Sequence, residues 1–268
     1  MEIAWSLVLF TALTGCGGWL FAGVAIDEFA KKTSKANFTA GIVALVLMIV
    51  GGVASVTHLA HPENMLAALN HPTSGIFIEA VLVGIASAFI IVYLVAYNRN
   101  ETVRRVCAVA GAVVGVALSF MAGHSYLMDA VYTWNTMLLP LAYLGTAAAS
   151  GLSAYALVAA IRHNETTPAD LKIAFILLAV GGVAAALTSL LYLTGVMDAA
   201  DLMLVAVGAV AVGGIVPLAC GIAGLKAANS ALVLSVVATA CALIGAICLR
   251  CAMWMAYVPL ENFFGIAL

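Results

Sequence analysis

The run "GIFIEAVLVGIASAFIIVYLVAY", residues 75–97, decides the fold. It carries one carboxylate, Glu79, with no basic residue and no proline. A helix rises 1.5 Å per residue, so a run of this length crosses the roughly 30 Å hydrocarbon core of a bilayer. Backbone groups in hydrocarbon can be satisfied only within the segment itself, which makes such a run helical. Seven more runs of the same kind lie at about 4–26, 39–60, 103–125, 136–161, 171–194, 201–225 and 230–257. The whole chain is 65% hydrophobic and 8% charged. A soluble domain is about 25% charged, so a soluble fold is excluded. The expected fold is an all-α integral membrane protein, a bundle of eight transmembrane helices over residues 1–268 with no separate soluble domain.

Small residues suit such a bundle. "VGAVAVGG" at 207–214 lets helices approach closely where lipid supplies no hydrophobic drive between them. The six cysteines lie almost wholly inside the apolar runs and are expected to pack as small apolar side chains. "LTGC" at 13–16 resembles a lipoprotein cleavage site, but only Glu2 precedes it where a signal peptide wants basic residues, so an ordinary first span is expected.

The basic residues order the loops. Lys31, Lys32 and Lys35 follow span one, and Arg99, Arg104 and Arg105 follow span three. Arg162 and Lys172 flank the loop after span five, and Lys226 follows span seven. All of these fall on one side, which the positive-inside rule makes cytoplasmic. Both termini are then expected on the non-cytoplasmic side. Trp5, Trp134 and Trp254 fall near the outer boundary, where interfacial anchors sit. The expected setting is a multi-pass protein of the bacterial cytoplasmic (inner) membrane with no nucleic-acid partner; the net charge of −2 by itself says nothing about partners.

The stretch before the opening run, "SVTHLAHPENMLAALNHPTS" at 55–74, lies on that outer side and holds three of the five histidines. Pro62 suits the start of a short helix, about 62–70, whose Met65, Leu66 and Leu69 form one apolar stripe lying on the membrane. Thr73 or Ser74 is placed to cap the third span. Glu79 sits about 7 Å inside that span, and Arg250 about 12 Å short of the outer end of the eighth. His124 ends the fourth. A charge in lipid costs at least about 2.5–3.5 kcal/mol, so Glu79 and Arg250 must face the protein interior, where they could simply pair with each other.

A pocket with apolar walls and a few converging polar groups is the usual form of a small-molecule site. Oxidising a quinol removes two electrons and two protons from a flat, lipid-soluble ring. Histidine and a carboxylate in an apolar setting are the acceptors that chemistry wants. His58 and Glu79 are the candidate catalytic pair. His61, His124, Tyr126, Trp134 and Arg250 are candidates for the rest of the quinol pocket. Three other readings stay open. His58 with His124 could hold a b-type haem. "CLRC", Cys248 to Cys251, has the spacing of a metal motif but lies within a span, where packing explains it. Intramembrane charges also mark proton-coupled transporters, although those carry a midplane site that this sequence lacks.

The residues resemble a known family. "HLAHP" at 58–62, "AALN" at 67–70, the following Glu79 and the Tyr126–Trp134 run are similar to the membrane-anchor subunit of dimethyl sulfoxide reductase. His61, Asn64 and His124 depart from the family pattern. The resemblance implies partners: an iron–sulfur electron-transfer subunit and a molybdopterin catalytic subunit that carries out the terminal reduction. It implies menaquinol or ubiquinol as the bound substrate, with no haem or metal held by the anchor itself. His58 and Glu79 carry over as quinol-site residues. Because electron transfer demands short distances, the iron–sulfur partner is expected on the face that holds the pocket.

Overall fold

In the computed structural model, residues 3–30, 35–57, 72–131, 133–162, 168–196 and 203–256 are described. The apolar runs become helices α1 (Trp5–Phe29), α2 (Lys35–Val56), α3 (Gly75–Ala96), α4 (Glu101–His124), α5 (Leu138–Ile161), α6 (Pro168–Val196), α7 (Val216–Gly224) and α8 (Ala231–Met255). A π-helical segment, Leu204–Ile215, leads into α7 and completes the seventh span. Eight helices are thus long and apolar enough to cross a membrane, and no strand occurs among the described residues.

Local chemistry sets the helix ends. Ser74 caps α3 by accepting a bond from the Phe77 amide at 3.2 Å, as its position predicts. Asn100 does the same for α4, accepting from the Val103 amide at 3.0 Å. Each cap satisfies one of the amides that a helix start leaves without a partner.

The interior pair is α1 and α5. Of their apolar windows 78% and 83% are buried, against 17% for α3, which is exposed over most of its surface. Glycine permits the closest approaches. A Cβ on Gly18 of α1 would lie 2.6 Å from the Gly115 carbonyl oxygen of α4, so backbone meets backbone there. The π-helical segment docks on α8 in the same way, through Gly213 against Gly245. Gly208 makes room for Cys248, where a Cβ would lie 2.6 Å from the cysteine Cβ. Cys248 of the "CLRC" motif therefore fills a helix–helix contact.

One end of the bundle holds a buried polar network that reading the runs separately did not reveal. Glu28 at the end of α1 accepts from Arg104 Nε at 3.0 Å and from the Tyr93 hydroxyl at 2.9 Å. Arg104 also donates to the Tyr97 carbonyl at 2.8 Å and lies over the Tyr97 ring at 5.3 Å. Beside it, Asn37 donates to Asp27 at 2.8 Å and accepts from the Tyr155 hydroxyl at 3.0 Å. Asp27, Glu28 and Asn37 are all fully or almost fully buried. Arg104, counted with the basic residues that follow span three, is a buried helix residue whose partner lies 76 positions away. The pairing ties α1 through α5 together at the end that also carries Arg99, Arg105 and Arg162. Glu79 and Arg250 belong to the opposite end.

Candidate functional site

At the Glu79 end, glycine again sets the geometry. A Cβ on Gly75 would lie 2.6 Å from Ser125 Oγ, so the first turn of α3 can sit directly against the residue that follows α4. Glu79, one turn on, is 7% exposed, and its carboxyl interacts with the Ser125 side chain. The Ser125 hydroxyl also donates to the Met121 carbonyl at 2.9 Å. A carboxyl at membrane depth is thus held inward by one hydroxyl, among apolar neighbours.

Beyond Ser125, residues 126–131 and 133–137 lie at the end of the bundle, where hydrogen bonds pin them. Thr133 donates to the Ala256 carbonyl at 2.7 Å, Trp134 Nε1 to the Met253 carbonyl at 2.9 Å, and the Tyr192 hydroxyl to the Thr133 carbonyl at 3.2 Å. Four aromatic rings then cluster. Tyr126 lies 5.7 Å from Trp134, 5.9 Å from Trp254 and 6.0 Å from Tyr143, with Trp134 and Trp254 5.2 Å apart and nearly perpendicular. Edge-to-face contacts of this kind are favourable beyond their area. Burial pushes the Tyr126 phenol well above its usual range, with the Tyr143 and Glu79 side chains adding to the shift and Arg250 opposing it. Tyr126 therefore stays protonated and can donate.

Arg250 lies beneath this cluster and is 1% exposed. Its Nε donates to Thr11 Oγ1 at 2.7 Å and its Nη2 to the Thr11 carbonyl at 3.2 Å. Its Nη1 donates to the Ala246 carbonyl at 2.8 Å and to Thr146 Oγ1 at 3.4 Å. The two threonines give their own protons to Leu7 O and Ala142 O on their own helices, leaving lone pairs for the guanidinium. The cation lies 4.3 Å from the centre of the Tyr143 ring. Among the described residues no carboxylate comes within 4 Å of it, so the simple Glu79–Arg250 pair does not form. Both charges nevertheless act on Tyr126 and Tyr143.

The candidate residues thus separate. Glu79, Tyr126, Trp134 and Arg250 gather at one end of the bundle. His124 ends α4 but is exposed, its ring 6.1 Å from Phe120, and it does not join the buried cluster. His58, His61 and the segment at 62–70 lie outside the described residues. Trp134 and Trp254, expected as interfacial anchors, are buried at 3% and 8% exposure because they pack on Tyr126 and on each other; Trp5 is exposed. Ser125, Tyr143, Thr11 and Thr146 were missed, since a small hydroxyl in an apolar run signals nothing until its helix rotation is known. A groove of about 670 Å³ lined by Phe29, Glu101, Thr102, Arg105, Val106, Val109 and Ala110 opens at the Glu28 end and is no part of this site.

The family model described as "DMSO reductase anchor subunit (DmsC)" matches residues 1–258. The protein belongs to that family. It is 25% identical over 167 residues to a subunit of the anaerobic dimethyl sulfoxide reductase of Haemophilus influenzae, covering 59% of this sequence and 60% of that protein. It is 30% identical over 191 residues to YnfH, an anaerobic dimethyl sulfoxide reductase subunit of Escherichia coli, covering 67% of this sequence and 66% of that one. The match thus spans 60% and 66% of these curated relatives' lengths. Eight apolar helices and membership of the DMSO reductase anchor family agree on a multi-pass membrane protein.

Proposed function

We propose that this protein is the quinol-oxidising anchor of a molybdenum and iron–sulfur oxidoreductase complex in a bacterial cytoplasmic membrane. The observation that carries the reading is Glu79: an acid buried at one end of the bundle, beside Ser125 and an aromatic cluster, in a member of the DMSO reductase anchor family. The apolar, largely exposed surface of α3 supports entry of a lipid-soluble substrate beside Glu79.

Menaquinol or ubiquinol binds with a ring hydroxyl toward Glu79. Two O–H bonds break, and the two protons pass to Glu79 and to His58, whose role rests on the "HLAHP" motif. Two electrons leave for the nearest cluster of the iron–sulfur partner, and the ring departs as quinone. Terminal reduction takes place on the molybdopterin subunit. In this reading both termini and the site face the non-cytoplasmic side, the orientation that the positive-inside rule favours for the basic residues at the Glu28 end. Protons are then released on the side where the electrons leave.

The test is quinone formation by the purified complex, followed by absorbance with the terminal acceptor present. Complex that includes the anchor oxidises quinol; partner subunits without it do not, while still accepting electrons from a dye. Equal quinol oxidation without the anchor would refute the reading.

A further inference from the structure

Trp254 carries a donor that no acceptor meets among the described residues. It is 8% exposed, and its Nε1 is buried with no hydrogen-bond partner there. Its neighbour Trp134, in the same cluster, is satisfied by the Met253 carbonyl at 2.9 Å. The described residues thus provide an acceptor for one indole and none for the other. A buried N–H without an acceptor has given up its water hydrogen bond for nothing, and such groups ordinarily find a partner.

Its position says what partner fits. Trp254 lies 5.9 Å from the Tyr126 ring, and the Glu79 charge reaches that same tyrosine. The donor packs against Tyr126, and the acid lies at the same end of the bundle, near enough for its charge to act on that tyrosine. Trp254 also follows Arg250 by four positions on α8, which stacks it one turn further out on the same helix face, above a buried cation. A donor with positive charge behind it suits an oxygen that becomes anionic.

We infer that the Trp254 indole N–H holds a ring oxygen of the quinol, so that this residue binds substrate alongside Glu79; the inference rests on the quinol reading above. A quinol oxygen can donate its proton to Glu79 and accept from Trp254 at the same time. As that O–H bond breaks, the electron pair stays on the oxygen, where the N–H bond strengthens. When the second proton has gone and two electrons have passed to the iron–sulfur partner, the product carbonyl is an acceptor only. Once Glu79 has passed its proton on, the carbonyl has no bond to that carboxylate and keeps the one from Trp254. The indole therefore grips both redox forms and stabilises the anion between them, and Glu79 grips the reduced form.

The experiment uses the full-length protein in lipid nanodiscs, labelled with ¹⁵N at its four indole nitrogens, with a short-tailed quinone as the probe. Trp254→Phe keeps an aromatic ring in the cluster and identifies the Trp254 signal by its loss. On adding the quinone, the Trp254 N–H proton should move downfield, saturating with the affinity measured independently by equilibrium dialysis. In the complex, Trp254→Phe should lower quinol-driven kcat about tenfold and leave dye-driven turnover unchanged. Saturable quinone binding that leaves the Trp254 signal in place would overturn the inference while the quinol reading stands. Absence of any saturable quinone binding would overturn both.

Discussion

The Arg250 guanidinium lies 4.3 Å from the centre of the Tyr143 ring and is bonded to two threonines and two backbone carbonyls, with no carboxylate among the described residues beside it. A buried cation held this way depends on the planar fork of arginine. Lysine keeps the charge but cannot reproduce the fork or the stacking. Losing two hydrogen bonds to a charged group costs about 3–6 kcal/mol, whereas replacing a buried charge by an apolar side chain of similar volume is often neutral. Arg250→Lys should therefore destabilise the protein more than Arg250→Met does, although Lys is the conservative change in charge. Thermal aggregation midpoints in detergent decide the order, and a more stable Lys variant would contradict it.

Glu28 and Arg104 make the opposite kind of contact, a buried ion pair. Removing one partner leaves the other charge uncompensated, at about 3–5 kcal/mol. Glu28→Gln should lower the aggregation midpoint sharply, and adding Arg104→Gln to it should restore part of the loss. Additive effects of the two changes would show that the pair is not coupled.

Gly18 meets Gly115 backbone to backbone, and a Cβ on Gly18 would fall 2.6 Å from the Gly115 oxygen. Gly18→Val must push α1 from α4. Overpacking of this kind costs about 1–3 kcal/mol. Gly84, whose Cβ would meet nothing within 4 Å, should accept alanine with little change in the same assay.

Ser125 supplies the hydroxyl placed with the Glu79 carboxyl. Ser125→Ala removes a hydrogen bond worth about 0.5–1.5 kcal/mol, roughly a two- to tenfold effect. Quinol-driven turnover should fall by that factor, with assembly of the complex intact on native gels.

Much of this architecture is legible in the sequence because a span needs only an unbroken apolar run. All eight runs form membrane-length helices, with ends within a few residues of the expected ones apart from α2, which starts and ends four residues earlier, and Ser74 caps α3 as its position suggests. Pairings across the bundle depend on helix rotation, which eight nearly uniform apolar runs do not encode. Glu28 and Arg104 therefore looked unrelated, and Glu79 looked like the partner of Arg250, whose real partners are threonines. Trp134 and Trp254 are buried, and a position near a span's end does not tell an exposed indole from a buried one. The π-helical Leu204–Ile215 carried no sequence signal that distinguishes it from an α-helix.

Quinol oxidation at Glu79 is tested most directly by comparing two turnover rates in complex carrying Glu79→Gln. One rate is driven by quinol, and the other by a dye that reduces the iron–sulfur partner without this site. A positioned proton acceptor contributes about a hundredfold or more. Quinol-driven turnover should fall by about that factor while the dye-driven rate holds. A quinol-driven rate unchanged in Glu79→Gln would place the chemistry elsewhere in the protein.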